Sequence, residues 1–214
     1  MKFPMMIAAA AIAMTAGANA SFVPGTPIST MPASLVGTGT DVKAVFIYYN
    51  AADTDKMEIS MPILMSLFTN KTTPQGTTVD LGSLTGAMQW ELKDMATGSS
   101  YLSDTADGHG YYHAAYSSIY SDFNVGLMPT ASAAALAALP AGGNVTFIGW
   151  EDHGCQSLPG SGSCPGVDWD YNDLIFAVWI ESSLHNPGIP EPLTLSLMGA
   201  GLLGAFGLRR KKKA

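Results

Sequence analysis

The chain alternates short apolar runs with turn-forming residues and shows no sustained helical period. Val42–Asn50, Thr77–Leu81, Ala87–Lys93, Tyr111–Tyr120, Val145–Trp150 and Leu174–Ile180 are rich in β-branched or aromatic residues and read as strands. Within Met88–Lys93, apolar and polar residues alternate with period two, as a half-buried strand requires. Met57–Phe68 is apolar but interrupted by Pro62, which predicts a strand pair or a bent edge strand. Gly82–Gly86 reads as the turn between two strands, and Ser99–Gly110 as a polar loop. Ala131–Leu139 has high helix propensity but is bracketed by Pro129 and Pro140, so it makes one short surface helix. The fold class expected is all-β, a β-sandwich or jelly-roll-like body with that single helix. No tandem repeat points to a solenoid or propeller.

Both ends depart from this pattern. Residues 1–20 hold Lys2, an apolar core from Phe3 to Met14, and Ala18-Asn19-Ala20, the form of a secretory signal helix and its cleavage site. Residues 21–40 are a Pro-, Ser- and Thr-rich lead-in, 41–182 the β-rich passenger, and 183–189 a linker. Residues 190–214 begin with Pro190-Glu191-Pro192, continue through the apolar run 193–208, and end in Arg209, Arg210 and three lysines. Sixteen residues span about 24 Å as a helix, a short transmembrane helix whose basic flank leaves the C-terminus in the cytoplasm. Without its ends, the passenger keeps four lysines (Lys43, Lys56, Lys71, Lys93) against sixteen acids, a formal charge of −12 with no arginine. That balance excludes nucleic acid as a partner and suits an extracellular setting rich in divalent cations.

The acids concentrate in one place. Between the last two apolar runs lie Glu151, Asp152, Asp168, Asp170 and Asp173, together with Asn172 and both cysteines. Asp168-x-Asp170-x-Asn172 has the alternating oxygen donors of a calcium loop, although the sixth position is Asp173 and not the glycine an EF-hand needs. Two readings stand for this block. Glu151 and Asp152 complete a calcium cage with Asp168, Asp170, Asn172 and Asp173, or the acids and amide bond their own backbone in turns. Cys155 and Cys164 bound a Gly/Ser/Pro loop, and in an exported protein they form a disulfide. His109 and His113 are four apart, but Gly108 and Gly110 disfavour the helix that would put them on one face for zinc. No nucleophile elbow, zinc-protease motif or phosphate loop occurs.

Two resemblances follow from these residues. Pro190-Glu191-Pro192, the Gly/Leu-rich run and the Arg209-Arg210 cluster resemble the PEP-CTERM sorting signal. That resemblance implies processing by exosortase, a membrane-embedded transpeptidase, after transient anchoring in the inner membrane. It also implies a Gram-negative bacterium that makes exopolysaccharide, with the product at the cell surface or in the extracellular matrix. Phe68-Thr69-Asn70, Thr77–Gly82, His113–Tyr116, Gly149–Asp152 and above all Asp168–Phe176 resemble the family called domain of unknown function 4114, which implies a β-fold and export but no reaction. The functional expectation is a non-catalytic exported matrix protein, calcium-binding through its acidic loop and associated with exopolysaccharide. A carbohydrate-binding module using Tyr111, Tyr112, Tyr116, Tyr120, Trp150 or Trp169 is the alternative. A glycoside hydrolase using Glu151 and an Asp of the block as a carboxylate pair, about 5–5.5 or 6.5–9.5 Å apart, ranks below it.

Overall fold

A computed structural model describes residues 22–123, 125–140, 144–154 and 167–180. Nine strands are assigned among them: β1 (Val36–Tyr49), β2 (Asp55–Met61), β3 (Met65–Thr69), β4 (Thr78–Ala87), β5 (Gln89–Asp94), β6 (Ser100–Leu102), β7 (Ala114–Ser117), β8 (Val145–Trp150) and β9 (Leu174–Ile180). One α-helix, α1, spans Thr130–Ala137. The strands form two antiparallel sheets, ordered β4-β1-β9-β8-β7 and β3-β2-β5-β6.

The all-β expectation holds for the described residues, and the core explains the sandwich form. Val42, Ala44, Phe46, Ile148, Trp150, Phe176 and Val178 of the first sheet pack against Met57, Ile59, Trp90 and Leu92 of the second. Trp90 meets Phe176 edge-on at 5.1 Å, and Phe46 stacks on Phe68 at 5.5 Å. Side chains alternate across a strand, so Val45, Ile47, Phe147, Ile175 and Ala177 point the other way. They are buried too, beneath Phe22, Phe123, Ala135, Trp169 and Tyr171. A sheet covered on both faces needs apolar residues at consecutive positions, which is why β8 and β9 read as unbroken apolar runs.

Four expectations change in detail. β1 begins at Val36, inside the stretch read as lead-in. Gly82–Gly86 is no turn, since β4 runs through it against β1. The register skips there, pairing Val42 with Gly82 and Lys43 with Asp80. Gly82 has φ 68°, and its N–H donates to Asp80 Oδ1 at 2.8 Å. Glycine in a strand can mark a bulge as well as a turn, and here the partner strand continues past it. β6 lies within the segment read as loop, and the 111–120 strand shrinks to β7.

On the outer face of the second sheet, Glu58 sits between Lys56 and Lys93, with both ammonium groups 2.6 Å from its carboxylate. Bonds from Lys56 and then Lys93 hold the Glu58 carboxyl below its ordinary value of 4.5. The lowered group stabilises the fold above that value, and the contribution is lost as pH falls through the folded-state pKa. Glu58→Gln should therefore cost about 0.5–1 kcal/mol at pH 7. In urea titrations, that difference should shrink as pH falls below 4.5 and vanish once pH has passed below the folded-state pKa.

The signal segment 1–20, Cys155 and Cys164, the linker 183–189, Pro190, Glu191, Pro192, Arg209, Arg210 and the apolar run 193–208 lie outside the described residues. Among the described residues, no helix is long and apolar enough to cross a membrane.

Candidate metal centre

The acids meet at one end of the sandwich because β8 and β9 are neighbours. Their pairing ends at Trp150↔Leu174, which places Glu151 and Asp152 beside Asp173. Backbone bonds hold the junction. Glu151 N–H donates to His113 O at 3.0 Å, Asp173 N–H to Trp150 O at 3.1 Å, and Asn50 N–H to Asp173 O at 3.3 Å. Asp152 N–H donates to Asp173 Oδ2 at 2.9 Å. Behind Glu151, the buried His113 ring stacks on Tyr101 at 3.9 Å. Its nitrogens lie 3.0 Å from the Glu151 carbonyl oxygen and 3.3 Å from Asp107 Oδ2.

The second half of the cluster arrives on a strongly bent segment. Trp169 and Tyr171 have φ of 54° and 57°, the left-handed region that bulky residues rarely adopt. Each such residue costs on the order of 1–3 kcal/mol and persists where its surroundings over-determine it. Here the surroundings are the aromatic layer. Trp169 packs on Tyr111 and His113, and Tyr171 on Phe22. Tyr171 Oη donates to Tyr112 O at 3.2 Å and accepts from Ile28 N–H at 2.9 Å. With the two rings buried, the alternate residues bring their carboxylates back toward β8.

The predicted ligands accordingly come together. One carboxylate oxygen from each of Glu151, Asp168 and Asp170 lies within 4.8 Å of the others, and the same holds for Glu151, Asp152 and Asp173. Asn172 donates from its backbone N–H to Asp170 Oδ1 at 3.2 Å and from its amide to Asp170 Oδ2 at 2.5 Å. Turn bonding and acid convergence are thus both present. Asn172 braces Asp170, while Glu151 and Asp152 point inward.

The electrostatics are those of buried carboxyl groups that repel one another. Glu151 is 2% exposed and Asp152 is 1% exposed. Among the described residues, Glu151 Oε2 and both Asp152 carboxylate oxygens have no hydrogen-bond partner. Burial, then the charges of Asp173, Asp168 and Asp152, push the Glu151 carboxyl far above the carboxylate range. Asp173 is raised by burial and then by Asp152. Asp170 is raised by burial, against the bonds from Asn172. Buried like charges leave two outcomes, protonation or a bound cation. Six to eight hard oxygens are what calcium takes, and Glu151, Asp152, Asp168, Asp170 and Asp173 supply them if several chelate.

Sequence reasoning missed a further group around Asp152. Asp55 is fully buried at the start of β2, and Asp94, 1% exposed, lies opposite it on β5. Burial, then Asp152, Asp94 and Asp53, push Asp55 up to about 8. Period two held the signal. Asp94 continues the Trp90, Leu92 face, and Asp55 the Met57, Ile59 face, both of which line the core.

Of the aromatics weighed for sugar stacking, Tyr111, Tyr112 and Tyr120 are partly exposed and the other three are buried. Trp150, Trp169 and Tyr116 are 0%, 4% and 5% exposed, so they are core residues and present no sugar platform.

A comparison with curated proteins gave no match. Nor do the comparisons support the resemblance of the passenger to domain of unknown function 4114, so fold and site rest on the residues themselves. Residues 188–211 match the PEP-CTERM protein-sorting motif, which implies an exported protein, anchored in a membrane and then processed by exosortase.

Proposed function

We infer that this is an exported, non-catalytic protein of the cell surface or extracellular matrix whose passenger binds calcium at Glu151, Asp152, Asp168, Asp170 and Asp173. The supporting observation is the set of inward-facing carboxylate oxygens on Glu151 and Asp152 without a partner among the described residues. In this reading, calcium ties the ends of β8 and β9 to the bent 168–173 segment. The anionic passenger then associates with exopolysaccharide through shared cations at a Gram-negative surface after exosortase has released the sorting tail.

The test is thermal melting of the purified full-length protein with and without calcium. A ligand at a hundred times its dissociation constant stabilises by about 2.7 kcal/mol. For a body of this size, that raises Tm by roughly 5–10 °C. The shift should disappear in Asp170→Ala, and the absence of any shift at millimolar calcium would end the metal reading.

A further inference from the structure

The acids near Asp152 do not all face one centre. On the side away from Glu151, His153 Nε2 lies 3.5 Å from Asp152 Oδ1 and 4.0 Å from Asp53 Oδ2. Asp53, Asp152 and His153 each offer one ligand atom within 4.8 Å of the others. Asp55 comes from the opposite sheet. Its Oδ2 accepts from Asn70 Nδ2 at 2.7 Å, while its fully buried Oδ1 has no partner among the described residues.

The neighbouring groups sort into ligands and supports. Asp94 is committed elsewhere, accepting from Ala96 N–H, Thr97 N–H and Thr97 Oγ1. It adds charge to the site rather than a spare oxygen. Asn70 acts as a brace. Its Oδ1 accepts from Asp55 N–H at 3.1 Å, and its Nδ2 also donates to Asp53 O at 3.0 Å. Outer-shell bonds of this kind orient the carboxylates that hold a metal.

We propose that Asp53, Asp152 and His153 Nε2 form a second cation site for a first-row transition-metal dication, and that Asp152, whose buried carboxylate oxygens accept no hydrogen bond among the described residues, bridges it to the calcium site. Two carboxylates and an imidazole suit manganese or zinc, whereas the all-oxygen set beyond Asp152 suits calcium. The site joins the two sheets, with Asp53 just before β2 of one and Asp152 and His153 directly after β8 of the other. An ion there clamps the sandwich at the end where the acids gather. The bridge rests on the calcium reading; the site at Asp53 and His153 does not.

Titration of the full-length protein with Mn2+ in the presence of calcium, followed by electron paramagnetic resonance, tests this. One Mn2+ per chain is expected, with nitrogen hyperfine coupling from an imidazole. His153→Gln should abolish that coupling and weaken Mn2+ by about tenfold or more, leaving the calcium-dependent Tm shift in place. Asp53→Asn, on a partly exposed side chain, should weaken Mn2+ similarly. Asp170→Asn should remove the calcium shift and spare Mn2+. Calcium binding without Mn2+, or Mn2+ without imidazole coupling, overturns the second site and leaves the calcium reading intact. Mn2+ bound at His153 without any calcium response supports the site and overturns the bridge together with the calcium reading.

Discussion

Gly149→Ala should destabilise the protein by about 3 kcal/mol or more, in the upper range for a single added methyl group. A Cβ at Gly149 would stand 2.3 Å from Tyr171 O and 2.4 Å from Phe123 Cε1. Neither neighbour has room to retreat. Phe123 is fully buried, and Tyr171 is fixed through its hydroxyl to Tyr112 and Ile28. β8 is also held on both sides, by β7 and β9. The bent acidic segment lies against β8 only because position 149 has no side chain. Chemical denaturation measures the loss, and a cost below about 1 kcal/mol would show that the segment does not lie where it is placed here. A variant that survives should also bind calcium more weakly, because the same displacement moves Asp170 and Asp168 away from Glu151.

Glu151→Gln should have opposite effects with and without calcium. In metal-free protein, burial and the charges of Asp173, Asp168 and Asp152 keep the Glu151 carboxyl protonated near neutral pH, so the substitution replaces an acid that must take up a proton on folding with an amide that is always neutral. It should leave stability unchanged or raise it by about 1 kcal/mol, since amide and acid are nearly isosteric. With calcium present, the variant loses a ligand shared by two carboxylate groupings. The calcium-dependent rise in Tm should then fall from roughly 5–10 °C to near zero. Paired melts with calcium and with chelator separate the two effects. A structural hydrogen-bonding role for Glu151 would instead lower stability equally in both conditions.

Much of this architecture was legible from patterning. The unbroken apolar runs of β8 and β9 announced strands, and a sheet buried on both faces accounts for their lack of alternation. The acids between those runs announced the site, because antiparallel neighbours must bring their adjoining ends together. Other features depend on partners distant in sequence. Gly82 looks the same in a bulge as in a turn until β1 is known to pair past it. Trp150 and Trp169 fit either a core or a sugar-stacking surface until the packing on both faces of the first sheet is counted. The joining of Asp55 to Asp152 is a tertiary event, although each acid already occupied the core side of its strand.

The most direct measurement is a crystal structure of the protein grown in millimolar calcium, with anomalous differences collected. The account predicts a peak between Glu151, Asp168, Asp170 and Asp173, with Ca–O distances of about 2.3–2.6 Å. Carboxyl groups paired through shared protons, with no anomalous peak among them, would contradict it.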